Sequence, residues 1–388
     1  MTLLYSEVEE ELRSAVRGLL ADRCPPAAVL ERAEAGPHDP ALWKTLAAEI
    51  GVAGLLVPEE YGGAGASASE AAVVLEELGR GVAPVPFLTS AVLATRALLD
   101  VRDDPGAPHD APHDGPHDGP HDGPHDGPHD GLRAGLSGEL SGELLGRLAE
   151  GRETAALVVS LAASPYQPGR GSSVTAREGR LSGVVSGVAG AEVADVLLVP
   201  AGGELYTVDP AAARIEATPS FDLTRPVATV TFADAPAARL GAVDLAGVLR
   251  FGAGLMASEQ LGVAEWCLDT TLAYVRERRQ FARPIGSFQA IKHRLADLWL
   301  DVVRARAAAR AAAADGSALA VAVAQAWNSG VAVRVAEEAL QLHGGIGMTW
   351  EHPLHLFLKR AKAAEIALGT PGDHRAAVAS LADVPGPE

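Results

Sequence analysis

Val8, Leu12, Val16 and Leu19 recur at intervals of three and four, which lays one apolar stripe along a helix. Ser6 and Glu9 stand at its start with the spacing of a capping box, in which the hydroxyl and the carboxylate each satisfy a free backbone amide. A second helix is predicted over Pro40–Glu49. Gly51–Gly65 is a buried apolar run followed by a Gly-rich turn, and an amphipathic helix follows over Ala68–Gly79. Leu132–Glu150 reads as helical again. From Thr154 the period changes: Ala155–Ala162, Val193–Val199, Leu205–Val208 and Val227–Phe232 are short, β-branched and bounded by Gly, Pro and Asp. Helical periodicity then returns. Leu261, Leu268, Leu272 and Val275 mark one face, and Phe288, Ile291, Leu295, Leu298 and Val302 mark the next. Arg304–Ala314 is nearly all Ala and Arg, a composition of strong helicity that permits close helix contact. Long antiparallel helices with short links indicate a four-helix bundle. The pattern predicts an α+β chain with an all-α domain over 1–152, a β-domain over 153–243 and a helical bundle over 244–383.

At 388 residues the chain can bury several cores, and its 48% hydrophobic but only 4% aromatic content suits closely packed helices. A formal charge of −18 argues against nucleic acid and anionic membranes as partners. Cys24 and Cys267 are far apart and form no metal or redox spacing, so both are expected as buried apolar thiols in a reducing cytosol. No basic-then-apolar leader and no run of about 18 apolar residues is seen, so a soluble cytoplasmic protein is expected.

Residues 103–131 break the pattern. Pro-His-Asp occurs six times, at His109, His113, His117, His121, His125 and His129. Pro and Gly every few residues oppose helix and sheet alike, so a disordered surface insertion is expected. Its imidazoles and carboxylates could hold a divalent metal loosely, but a floppy array fixes no coordination geometry, and no metal site is expected.

Two stretches carry chemistry. Glu277–Gln289 is a basic, aromatic-bearing loop between helices, either a solvated turn or a site for a pyrophosphate, since guanidinium forks match phosphate oxygens. Gln341–Lys362 ends a helix on Gly344, Gly345 and Gly347, which either turn the chain or let another molecule approach the backbone. Both stretches closely resemble the acyl-CoA dehydrogenase family, through Arg-x-x-Phe at Arg278 and Phe281 and through Gln-x-x-Gly-Gly at Gln341, Gly344 and Gly345. Gly51–Gly65, Glu76–Arg80 and Val82–Pro86 resemble its N-terminal domain, and Asp222-Leu-Thr-Arg225 and Gly183 through Asp195 its middle domain. The resemblance implies a β-barrel-like middle domain, FAD as cofactor, an acyl-CoA thioester as substrate and an electron-transfer flavoprotein as electron partner. In that family the two stretches lie against the FAD of a neighbouring subunit. Carried over by position, the cofactor-binding residues are Arg278, Phe281, Gln289, Gln341, Gly344 and Gly345, with Gly369 and Thr370 after the following helix.

The departures are informative. Desaturation needs a carboxylate to take the α-proton. The family places it in Glu-Gly-Thr, and here Leu368 precedes Gly369-Thr370. Some members place it about 26 residues before the Arg-x-x-Phe arginine, where this chain has Gly252. No catalytic base is therefore assigned; Glu259 and Glu365 are the remaining acids that could substitute. In the middle domain, Tyr166 and Ser186 are the only remnants of the residues that frame the flavin ring.

Three readings follow. The chain is the base-lacking subunit of a heteromeric enzyme that completes a paralogue's FAD pocket in trans; or it is a self-sufficient flavoenzyme, a homo-oligomer with an unconventional base; or it is a non-catalytic acyl-CoA-binding or scaffolding protein. The preserved arginine and glutamine positions argue against the last. The insertion yields a first prediction. Because loop closure depends only logarithmically on length, deleting Ala107–Gly131 should change stability by no more than about 1 kcal/mol. A melting temperature lower by more than about 5 °C would assign the repeat a structural role.

Overall fold

A computed structural model describes residues 4–36, 38–102 and 130–383. Among the described residues, six α-helices build the N-terminal region: α1 (Glu7–Arg23), α2 (Pro26–Ala35), α3 (Pro40–Lys44), α4 (Ala68–Arg80), α5 (Thr95–Leu99) and α6 (Asp130–Ala149). The capping box at α1 is formed, with Ser6 Oγ accepting from the Glu9 N–H at 3.2 Å and the Glu9 carboxylate from the Ser6 N–H at 2.6 Å. The helix expected over Pro40–Glu49 is one α segment running into wider π turns over Thr45–Glu49. Similar turns over Phe87–Ala94 lead into α5. Asp130 and Gly131, counted with the His-rich insertion, begin α6, and the rest of the insertion lies outside the described residues.

The middle region contains β1 (Ala155–Leu157), β2 (Thr175–Arg177), β3 (Arg180–Ala189), β4 (Val196–Ala201), β5 (Glu204–Val208), β6 (Arg214–Thr218), β7 (Val227–Pro236) and β8 (Ala238–Ala242). They form two four-stranded sheets, ordered β1-β4-β5-β8 and β2-β3-β7-β6. The described strands close no barrel; instead Leu181, Val185, Leu197, Val199, Val230 and Phe232 join in one core. Strand β3 escapes the sequence pattern because its register slips against β7 between Leu181 and Gly183 and again between Val185 and Val188. Each slip resets the in–out alternation that marks a strand.

Beyond it lie α7 (Leu245–Glu277), a two-stranded hairpin of β9 (Arg279–Gln280) and β10 (Arg283–Pro284), α8 (Gln289–Asp315), α9 (Ala318–His343), α10 (Leu354–Ile366) and α11 (Pro371–Leu381). Helices α7, α8 and α9 pack side by side, and α10 and α11 return along α9. The small residues set the spacing. A Cβ on Gly79 of α4 would lie 2.2 Å from the Glu259 carbonyl oxygen, and one on Gly262 of α7 only 1.9 Å from that of Glu76. Inside the bundle the Asn328 amide donates to the carbonyls of Ala257 and Ala305, both at 3.0 Å, tying α9 to α7 and α8. Helix α9, with its following turn, is long and apolar enough to cross a membrane by composition, although 56% of the critical window is buried inside the protein. Both cysteines are free and buried, and burial pushes the Cys24 thiol up to about 12.

A buried ionic cluster joins the β-domain to the bundle. Arg360 of α10 is 1% exposed, and its Nε donates to the Asp222 carboxylate. Its Nη2 donates to the Thr224 hydroxyl at 2.6 Å and to the Thr224 carbonyl at 3.1 Å. Its Nη1 lies 3.4 Å from Glu259 of α7, which also takes a hydrogen bond from Arg225. Asp222 Oδ1 accepts from the Thr224 N–H at 2.9 Å and from its hydroxyl at 2.6 Å. Burial alone would raise both carboxyls, but Arg360 and Arg225 override it and hold Asp222 and Glu259 below the usual carboxylate range.

Removing the shared cation leaves buried Asp222 without its guanidinium and Glu259 with Arg225 alone. Arg360→Met should therefore lower stability by about 3–5 kcal/mol, read from the urea midpoint. The sign with pH follows from the depressed folded values. The cluster's stabilisation is complete above the unfolded carboxyl pKa of about 4 and is lost as pH falls through the lower folded values. In Arg360→Met this acid-linked loss should shrink, because without the guanidinium burial is free to raise the folded carboxyl values. An unchanged midpoint and acid limb would show that the cluster does not hold the domains together.

Candidate functional site

Helix α7 ends at Glu277, where the Arg278 N–H caps it by donating to the Tyr274 carbonyl at 2.9 Å. The chain then reverses through Phe281 and Ala282 at φ of 51° and 61°, a left-handed pair that puts the Phe281 ring 87% into solvent. Phe288 braces the reversal from behind, meeting Phe281 edge-on at 6.1 Å and carrying the Arg283 guanidinium 3.8 Å over its ring. Gln289 opens α8 immediately afterwards and is exposed.

The glycine turn comes to the same end of the bundle. His343, the last residue of α9, stacks on Tyr274 of α7 at 4.3 Å, which brings Gln341, Gly344 and Gly345 towards the Arg278 turn. Gly344 has φ 63° and ψ −139°, a conformation that disfavours any side chain. A Cβ on Gly344 or Gly345 would meet nothing within 4 Å, so this backbone is open to another molecule. All six residues, Arg278, Phe281, Gln289, Gln341, Gly344 and Gly345, are exposed. Arg278 makes no ion pair among the described residues. An uncommitted guanidinium, an exposed ring, two amide side chains and open glycine backbone fit the phosphates and flat rings of a dinucleotide such as FAD.

Gly369 and Thr370 do not join that group. They lie past the far end of α10, 13 residues and so about 20 Å along it. Gly369 is buried, and a Cβ there would stand 2.8 Å from His374 Nε2 and 3.3 Å from Ser164 Oγ. The Thr370 hydroxyl is committed to the cap of α11, accepting from the Asp373 N–H at 3.2 Å and donating to its carboxylate at 2.8 Å. His374, wholly buried, fixes the turn against the β-domain. Its Nε2 meets the Leu368 carbonyl at 3.1 Å, and its Nδ1 meets the Tyr166 hydroxyl at 3.0 Å. Burial holds His374 below its ordinary pKa, so the ring is neutral at pH 7.

The two alternative base positions converge on one spot. A Cβ on Gly252 would lie 2.4 Å from Leu93 Cδ2 and 3.2 Å from Leu368 Cδ1. Leu368 is fully buried at φ 54°. The space left beside it is about 10 Å³, lined by Thr89, Leu93, Leu157, Val159, Leu161 and Ala189, room for at most one water. This spot contains no carboxylate. Glu259, one of the two possible substitutes, is corrected to a structural role, being tied to Arg225 and Arg360 and held ionised. Glu365, the other, pairs with Lys362 at 3.4 Å on α10. Ser186 is exposed on β3 and does not line the space beside Leu368. His374 was missed from the sequence because a lone histidine after Gly-Thr-Pro carries no periodic signal.

Comparison with known proteins bears on this arrangement. Residues 6–100 match the N-terminal domain of acyl-CoA dehydrogenases, and residues 241–381 the C-terminal domain. The chain is 35% identical over 368 residues to the acyl-CoA dehydrogenase IpdE2 of Mycolicibacterium smegmatis, covering 94% of this chain and 96% of that protein. Among solved structures it superposes on a chain of the ChsE4–ChsE5 complex from Mycobacterium tuberculosis with TM-score 0.80 and 28% identity, over 100% of this chain and 100% of that one. It superposes on a steroid ACAD described as Tcur3481–Tcur3483 with TM-score 0.79 and 27% identity, over 98% of this chain and 99% of the other. This chain belongs to the acyl-CoA dehydrogenase family, FAD-dependent oxidoreductases that act on CH–CH bonds of acyl-CoA thioesters.

Proposed function

We propose that this chain is the base-lacking subunit of a heteromeric acyl-CoA dehydrogenase, completing the FAD pocket of a paralogous partner in trans. In this reading the domains over 1–152 and 153–243 support the bundle over 244–383, which presents Arg278, Phe281, Gln289, Gln341, Gly344 and Gly345 to the partner. The observation that carries it is the contrast between the two ends of α10. At one end an open, uncommitted cradle lies in solvent; at the other, Leu368, Leu93 and Gly252 fill the base position with hydrocarbon.

FAD, when bound, supplies the hydride acceptor for the desaturation. Arg278 would hold a phosphate by a charge-assisted contact, Phe281 would cover a ring, and the open backbone at Gly344 and Gly345 would admit close approach. Gly369 and Thr370 act here as the turn that seals the unused position. The carboxylate that takes the α-proton comes from the partner. Two matched structures are named as pairs of chains, which agrees with a heteromeric assembly. An electron-transfer flavoprotein would reoxidise the enzyme, and two free buried thiols suit a cytoplasmic location. A self-sufficient homo-oligomer loses support once Glu259 is engaged in the buried cluster.

The test is turnover with an artificial electron acceptor. The isolated chain should oxidise no acyl-CoA, and the complex with its paralogue should do so. Turnover by the isolated chain that is lost in Glu365→Gln would sink the reading. Arg278→Ala in the complex should weaken FAD retention by about 1.5–3 kcal/mol without unfolding either subunit. Leu368→Glu places an unpaired carboxylate among hydrocarbon and should lower stability by about 3–5 kcal/mol. It should not create activity in the isolated chain, since Tyr166 and His374 still close the neighbouring turn.

A further inference from the structure

Helix α1 is fastened largely by polar contacts. Of its 17 residues only Glu9, Val16 and Leu20 are buried, and Val8, in the first turn, is 63% exposed. Tyr5, just before the helix, pins its start. The Tyr5 ring faces two guanidiniums, Arg13 at 4.8 Å and Arg310 of α8 at 4.3 Å, and its hydroxyl donates to the carboxylate of Glu76 on α4. Glu9 accepts from Arg310 at 2.5 Å.

Glu76 is 1% exposed and lies in a cluster of charges drawn from four helices. Glu9, Arg13 and Arg17 come from α1, Glu77 and Arg80 from α4, Glu265 and Asp269 from α7, and Arg306 and Arg310 from α8. The other acids hold the close contacts. Glu77 accepts from Arg17 at 2.6 and 2.8 Å and from Arg13 at 3.1 Å. Glu265 accepts from Arg80 at 3.0 Å and from Arg306 at 3.1 Å, and Asp269 from Arg80 at 2.9 Å. Glu76 is left with a share of Arg13, 3.4 Å away, and its Oε1 accepts no hydrogen bond among the described residues. A buried carboxyl placed beside other acids, with one shared cation, is costly to ionise. Burial, and then the Glu265 charge, push its pKa up to about 7; the Tyr5 hydrogen bond and Arg13 pull the other way and do not undo the shift.

We propose that the segment from Tyr5 through α1 is a pH-sensitive latch on α4 and α8, with the Glu76 carboxyl as its titrating element. When the latch is closed, Tyr5 and Arg13 cover Glu76. When it opens, water reaches the carboxyl, which returns to the ordinary glutamate value of about 4.3. Below that value Glu76 is protonated in both states, and closure has its full strength. As pH rises, the open state sheds its proton first, so closure weakens by up to about tenfold per pH unit. The loss ends where the closed state ionises as well, at about 7. Arg310 stands 21 residues along α8 from Gln289, about 30 Å, so the latch operates apart from the cradle.

Hydrogen exchange of the full chain, read by mass spectrometry from pH 5 to pH 8 and corrected for the pH dependence of intrinsic exchange, tests this. Peptides of α1 report the latch, and those of α9 serve as the internal reference. Protection of α1 relative to α9 should fall by about tenfold or more across that range. Glu76→Gln keeps an acceptor for the Tyr5 hydroxyl and removes the titration. It should hold α1 protection level with pH, and above that of the wild type at pH 8. Wild-type α1 protection that does not change relative to α9, or an equal fall in Glu76→Gln, would overturn the assignment.

Discussion

Arg360 carries a full positive charge in a place from which water is excluded, and much of the architecture follows from having to satisfy it. Its guanidinium reaches Asp222 and Thr224 at the edge of the β-domain and Glu259 on α7, while sitting itself on α10. One side chain thus fixes three elements that are far apart in sequence. A lone charge so deeply buried would be intolerable, and one lost partner would leave the others uncompensated. The cluster therefore constrains the angle between the β-domain and the bundle. That angle decides how closely the Leu368 turn, which follows α10, is pressed against Tyr166 and Ser164 of the β-domain.

The same rigidity separates two chemistries along α10. Before it, the chain turns on glycines whose backbone faces open space, beside a reversal that holds Phe281 out in solvent. After it, the chain turns through Leu368 and Gly369 into a packed seam closed by His374. The proposed function gives both features a use: the exposed cradle would serve a cofactor shared with a neighbour, and the acid that the hydrocarbon beside Leu368 does not supply would come from that neighbour.

Much of this was legible in the sequence, for physical reasons that differ by element. The helices of the bundle announce themselves because one face of each is buried, as Leu295, Leu298 and Val302 show at spacings of three and four. The cap at Ser6 and the glycine turn at Gly344 are local, and local signals survive without tertiary information. Strand β3 was not legible, since two register slips break its alternation, and β6 was not because it is an edge strand with little buried surface. The role of Glu259 was misjudged as a possible base, because nothing near it in sequence reveals Arg225 and Arg360. The convergence of Gly252 and Leu368 likewise needs the fold: 116 residues separate them, and only the packing of α7 against the turn after α10 brings them within contact.

The central claim is that one FAD serves two unlike chains, and counting flavin in the intact assembly tests it most directly. Native mass spectrometry of the chain co-expressed with its paralogue, with flavin absorbance measured on the same sample, gives the ratio without reference to any substrate. The account predicts one FAD per heterodimer and none retained by the chain purified alone. A yellow homotetramer carrying one FAD per chain would contradict it.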